Sequence, residues 1–112
     1  MEVIPYGKQF IDEDDIDAVI TAMRGELLTQ GMTLPKFEKK IADYCGSSFA
    51  VAANSATSSL HLACMALGLK EGDLVWVSSI SFVASANCAK FCGADIDFVD
   101  IEAADFNMSC SA

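Results

Sequence analysis

Apolar positions along this chain follow a helical period in the first part and short unbroken runs in the second. From Asp12 the pattern is helical: Ile16, Val19, Ile20 and Met23 fall at i, i+3, i+4 and i+7 behind an acidic first turn, and Gly25 closes the run. Asp12 is the expected N-cap, because its carboxylate can accept from the N–H groups that a helix leaves unpaired at its start. After a loop, ELLTQGMT (26–33), a second helix is predicted from about Pro35, with Leu34, Phe37, Ile41 and Tyr44 on one side and Gly46 as its stop.

Beyond that point the period is lost. SFAVAA (48–53) is a short apolar run without alternation, as expected of a strand covered on both faces. LVWVS (74–78) reads as a second buried strand and IDFVD (96–100) as a third. Between them lie a helix that follows NSATSS and ends at Gly68, a turn at KEGD, and a helix through VASANCAKFC stopped by Gly93. The order is βαβαβ, which predicts an α/β fold with parallel strands and right-handed crossovers. The organisation is thus a helix and loop over 1–33, then a helix followed by βαβαβ over 34–112. The final AADFNMSCSA shows no closing element, and three parallel strands with open edges make a poor complete sheet. The chain is expected to be the first portion of a longer domain.

Composition sharpens this expectation. Hydrophobic residues make up 53% of only 112 positions, which is high for a chain that would have to cover a small core with polar surface. The formal net charge of −9 speaks against nucleic acid or anionic lipid as a partner. Its acids gather in DEDDID (12–17) and between Asp95 and Asp105, which read as solvated faces. The five cysteines are odd in number and sit in or beside apolar helical patterns, as small hydrophobes of a reducing compartment do. Cys88 and Cys92 share a helix face at a spacing of four, but no second Cys or His pair accompanies them, so the sequence gives no zinc set. No leader pattern opens the chain and no apolar run approaches the roughly 18 residues of a membrane span. A soluble, cytoplasmic protein is expected.

Two loops carry candidate chemistry. NSATSS places the N–H groups of Ala56, Thr57 and Ser58, with their neighbouring hydroxyls, at a helix N-terminus, where the helix dipole favours an anion such as phosphate. Ser and Thr are equally good helix caps, so the cluster also has a purely structural explanation. SISFVAS delivers Phe82 at the end of the neighbouring strand, either as a core aromatic or as a face for a flat ring carrying that phosphate. No G-x-G-x-x-G or Walker pattern occurs, which leaves a compact phosphorylated aromatic such as pyridoxal 5'-phosphate as the better candidate. A small flavodoxin-like phosphate-binding domain without catalysis is the alternative, and a purely structural remnant a third.

Three segments, LLTQGMTLPKFEKKIADYCG, AVAANSATSSLHLACMALGLKEGD and VSSISFVASANCAKFCGADIDFVDI, resemble the opening part of the DegT/DnrJ/EryC1/StrS sugar aminotransferases. LLTQG and NSATSSL are most similar to the branch that aminates C4 of a UDP-linked 4-keto-6-deoxy-N-acetylhexosamine. The resemblance implies the large domain of a fold type I pyridoxal-phosphate enzyme, a three-layer αβα architecture with parallel strands. It implies that Ala56, Thr57 and Ser58 hold the cofactor phosphate, that Phe82 stacks on the pyridine ring, and that Tyr6, Glu26 and Thr29 contact the nucleotide-sugar substrate. It further implies an amino-acid donor, glutamate by family habit, and a homodimer with active sites near its interface. His61 falls at a packing position, and Asp100 is read as a loop cap or site rim. The lysine that condenses with the cofactor and the acid that protonates its pyridine nitrogen are expected outside these residues, since no lysine present suits the role.

Overall fold

A computed structural model describes residues 3–111, which fall into two compact units that meet between Val51 and Ala52. In the first unit, α1 spans Glu13–Met23. Asp12 is its N-cap, as the pattern predicts, and accepts from the Asp15 N–H at 3.1 Å. Asp15 answers by accepting from the Asp12 N–H at 3.2 Å, so the two acids form a reciprocal capping box. Helix α2 spans Thr33–Cys45 and begins slightly before Pro35, which needs no N–H bond there. It ends where Gly46 adopts φ 66°, a left-handed turn that costs a glycine little. The connecting loop is tight: a Cβ on Gly31 would collide with the Leu27 carbonyl oxygen. No residue of α1 and only Ala42 of α2 is buried, so the apolar stripe that defines each helix stays accessible within this unit.

In the second unit the order is α3 (Ala56–Ala66), β1 (Leu74–Ser78), α4 (Ala84–Phe91) and β2 (Asp95–Val99). The two strands pair in parallel, Leu74 with Asp95 through Ser78 with Val99. Ser79 continues the ladder by donating its N–H to the Val99 carbonyl at 2.9 Å. Helix α4 makes the crossover between them. Its buried residues, Ala84, Ala86, Cys88 and Ala89, are all small, which lets the helix lie close against Val77, itself buried on β1. Helix α3 packs on α4, where the His61 and Phe91 rings meet edge to face with centroids 5.3 Å apart. His61 is therefore a packing residue, in agreement with its place in the pattern.

Two expectations change. SFAVAA (48–53) is not a strand, and the sheet has two strands where three were expected. An apolar run only makes a segment fit to be a strand, and the parallel ladder formed here joins β1 to β2. The end of the chain, read as lacking a closing element, instead turns back on itself. Ile101 and Met108 form an antiparallel bridge, Glu102 N–H donates to the Asn107 carbonyl at 2.9 Å, and Phe106 takes φ 62° at the turn. The cysteines also divide more finely than expected: all five are free, Cys88 is buried, Cys64 and Cys92 are half-buried, and Cys45 and Cys110 are exposed.

Candidate anion-binding site

The start of α3 is built as a cap first. Ser55 is extended, with φ −158° and ψ 156°, and its Oγ accepts from the Ser58 N–H at 3.1 Å. The Ser58 hydroxyl donates to Asn54 Oδ1 at 2.8 Å, and the Ser59 hydroxyl donates to the Ser55 carbonyl at 3.2 Å. This network fixes the direction in which the remaining N–H groups of the turn emerge. Those are the amides of Ala56 and Thr57, which an α-helix leaves without an internal acceptor.

The electrostatics of this turn differ from those of α1. There, Glu13, Asp14 and Asp15 fill the first turn and neutralise the positive end of the helix dipole. The first turn of α3 contains no acid, so its partial positive charge is left for an external anion. The capping reading of NSATSS is observed, and the geometry is compatible with an anion beside it. Ser55 and Ser58 do the capping, while Ala56 and Thr57 keep donors at the helix start.

Phe82 lies between β1 and α4. Its carbonyl accepts from the Ser85 N–H at 2.9 Å, while its ring is 75% exposed and borders a small cleft of about 220 Å³ with Val77, Ala86 and Phe98. A ring so exposed is not a core aromatic within this unit. The packing of α3 on α4 makes the segments that carry Thr57 and Phe82 parts of one body.

Asp100 is a loop cap. Its Oδ1 accepts from the Ile101 N–H at 2.8 Å and from the Ser79 hydroxyl at 3.3 Å, tying together the segments that leave β1 and β2. A second polar pair, Ser81 with Ser85 at 2.8 Å, brackets Phe82 and escaped the sequence reading; the serines of SISFVAS are its signal. Among the described residues, no group of three or more His, Cys, Asp or Glu side chains is arranged to hold a metal ion. No helix among them is long and apolar enough to cross a membrane.

The three residues expected at the nucleotide sugar belong to the first unit. Tyr6 and Thr29 are exposed there, and Glu26 lines a cleft of about 580 Å³ beside Ala22, Gln30 and Gly31. The cleft does not include Tyr6 or Thr29.

The fold is α/β with a parallel pair of strands, and the candidate site is a capped, acid-free helix start. Residues 9–112 match the DegT/DnrJ/EryC1/StrS aminotransferase family, and the chain belongs to that family. It is 44% identical over 100 residues to the UDP-4-amino-4,6-dideoxy-N-acetyl-beta-L-altrosamine transaminase of Campylobacter jejuni strain 81-176, an overlap of 89% of this chain and 26% of that one. The GDP-perosamine synthase of Caulobacter vibrioides is 38% identical over 102 residues, or 90% of this chain and 28% of the synthase. In structure, the chain matches the PLP form of the Streptococcus pneumoniae protein Spr1654, named as a sugar aminotransferase, with a TM-score of 0.89 and 31% identity over 95% of this chain and 27% of that one. It also matches a 3-amino-5-hydroxybenzoic acid synthase with a TM-score of 0.85 and 27% identity over 96% of this chain and 28% of that one. The chain thus spans about a quarter of the length of the relatives it matches.

Proposed function

We propose that these residues form the cofactor-phosphate seat of a pyridoxal-phosphate-dependent nucleotide-sugar aminotransferase. The observation that carries the reading is the start of α3: capped by Ser55, free of acids, and offering the amides of Ala56 and Thr57 beside a threonine hydroxyl. This donor set suits a phosphate monoester. Ser58 contributes through the cap, and its hydroxyl joins the phosphate after turning away from Asn54. The exposed Phe82 ring supplies a face for the pyridine. Matching structures solved in PLP and PMP forms support the choice of cofactor.

When bound, the cofactor supplies an aldehyde that takes up an amino group and a ring that accepts electrons. The residues here bind and orient it. Lys39, Lys70 and Lys90 are each paired with an aspartate on the surface, Asp43, Asp73 and Asp95. By the family resemblance the reactive lysine and the acid at the pyridine nitrogen come from elsewhere in the parent enzyme, and the 112-residue chain alone is expected to be inactive. Tyr6, Glu26 and Thr29 contact a UDP-linked keto-deoxy sugar, glutamate is the amino donor, and the parent works as a cytoplasmic homodimer in surface-polysaccharide biosynthesis. The relatives named as a transaminase and a perosamine synthase support this substrate class.

The test uses pyridoxine 5'-phosphate, which has no aldehyde and so cannot react with surface lysines. Equilibrium dialysis should show it bound in preference to pyridoxine, with inorganic phosphate competing. Equal retention of the two compounds would refute the phosphate seat.

A further inference from the structure

Asp100 follows the last residue of β2, at the carboxyl edge where parallel α/β sheets present their loops to ligands. Three segments meet on it. Its Oδ1 accepts from the Ile101 N–H at 2.8 Å and from the Ser79 hydroxyl at 3.3 Å, and its backbone carbonyl accepts from the Ser109 N–H at 2.8 Å. The Ser79 contact joins residues 21 apart in sequence, so it belongs to neither turn alone. Capping requires only the Ile101 amide. The bond to Ser79 is additional to it, and it reaches the loop that carries Phe82.

Phe82 stands three residues beyond Ser79, and hydrogen bonds hold the chain on both sides of it. Before it, the Ser79 N–H donates to the Val99 carbonyl at 2.9 Å and the Ser78 hydroxyl donates to the Ile80 carbonyl at 3.3 Å. Across it, the Ser81 and Ser85 hydroxyls meet at 2.8 Å, and the Ser85 N–H donates to the Phe82 carbonyl at 2.9 Å. The ring itself is 75% exposed, so little packing fixes it and its place depends on the backbone beneath.

We propose that Asp100 is a positioning residue: through Ser79 it fixes the loop between β1 and α4, and with it the Phe82 ring that faces the cofactor. The tie is read from the hydrogen bonds, while the role toward a pyridine rests on the seat proposed above. Loss of the tie leaves the donors of α3 in place, because Ser55, Ser58 and Asn54 cap that helix without any bond to this loop. What it loosens is the ring relative to the phosphate, so that the two ends of one ligand are no longer met together.

The experiment compares the full chain with Ser79→Ala, Ser79→Thr, Asp100→Ala and Asp100→Asn. Amide hydrogen exchange needs no ligand and comes first. Ser79→Ala and Asp100→Ala should speed exchange of the Ser85 amide, which is bonded to Phe82, and leave that of Asp95, bonded to Asp73 at the opposite edge of the sheet, unchanged. Ser79→Thr keeps the hydroxyl and Asp100→Asn keeps an oxygen acceptor, so both should restore protection. In dialysis, Ser79→Ala should weaken retention of pyridoxine 5'-phosphate by about 2- to 10-fold, no more than Phe82→Ala does, with inorganic phosphate bound as before. Added to Phe82→Ala, it should have no further effect. Ser79→Ala and Asp100→Ala are read separately, so the test stands if one of them fails to fold. Unchanged exchange at Ser85 would overturn the tie, and an equal loss for inorganic phosphate, or a further loss on top of Phe82→Ala, would overturn the positioning role. Failure of the seat itself shows differently, as equal retention of pyridoxine and pyridoxine 5'-phosphate by the unsubstituted chain, and the role toward the cofactor falls with it.

Discussion

The Ser58 hydroxyl donates to Asn54 Oδ1 at 2.8 Å, so a side chain that the sequence offers as a phosphate ligand is already committed within its own turn. Its amide is committed as well, to Ser55 Oγ. Ser55→Ala should therefore act on stability through the lost cap, by about 0.5–2 kcal/mol. Urea unfolding followed by circular dichroism measures it. A midpoint unchanged by the substitution would mean that the cap contributes nothing to α3.

Thr57 is the residue to which the seat assigns a hydroxyl. Thr57→Val keeps its shape and removes a charge-assisted hydrogen bond, a loss of about 1.5–3 kcal/mol, or roughly 10- to 100-fold in affinity for the phosphorylated compound. Ser58→Ala should cost less, because its hydroxyl must first give up Asn54. The order of the two effects, read by dialysis against pyridoxine 5'-phosphate, separates a ligand from a cap.

Phe82 should separate binding from stability. With its ring 75% exposed, Phe82→Ala should change the unfolding free energy by no more than about 0.5 kcal/mol. Stacking on a pyridine is worth about 0.5–1.5 kcal/mol, so retention of the ring compound should fall while competition by inorganic phosphate stays the same. A large loss of stability would mark Phe82 as a packing residue.

These residues also show how far a sequence can be read. Asp12, Gly46, LVWVS and the helix after NSATSS were legible because each depends on local chemistry: a cap, a left-handed turn, a short run of valine and large apolar residues. SFAVAA misled because apolar composition makes a segment fit for a strand without fixing its place in a ladder. The bridge of Ile101 to Met108 was hidden for a related reason, since its turn rests on Phe106 at φ 62°, a position where glycine or asparagine would be the usual signal. At the site, the residue types were legible, but the division of labour between Ser55, Ser58 and Thr57 needed the hydrogen bonds.

Gly31 is a position where steric fit decides. A Cβ there meets the backbone oxygen of Leu27, which cannot turn aside as a side chain would. Gly31→Ala should destabilise the first unit by about 1–3 kcal/mol, with the strain confined to the loop that carries Glu26 and Thr29. Limited proteolysis should show this loop cut faster in the variant. Unaltered proteolysis and an unchanged urea midpoint would contradict the close approach.

Alkaline pH provides the last prediction. The Cys64 thiol is raised first by burial, then by its hydrogen bond to Cys88, then by the charges of Cys88 and Cys92. A group whose folded value lies above its unfolded one contributes stability that is fully present below the ordinary thiol value and is lost as pH rises through the folded value. Urea midpoints measured in the presence of reductant from about pH 8 to about pH 10 should therefore fall, and fall less in Cys64→Ala, which has no thiol to ionise at that interface. The difference between the two profiles isolates Cys64 from every other group of the chain. Parallel profiles would mean that the Cys64 thiolate is as well accommodated between α3 and α4 as it is in the unfolded chain.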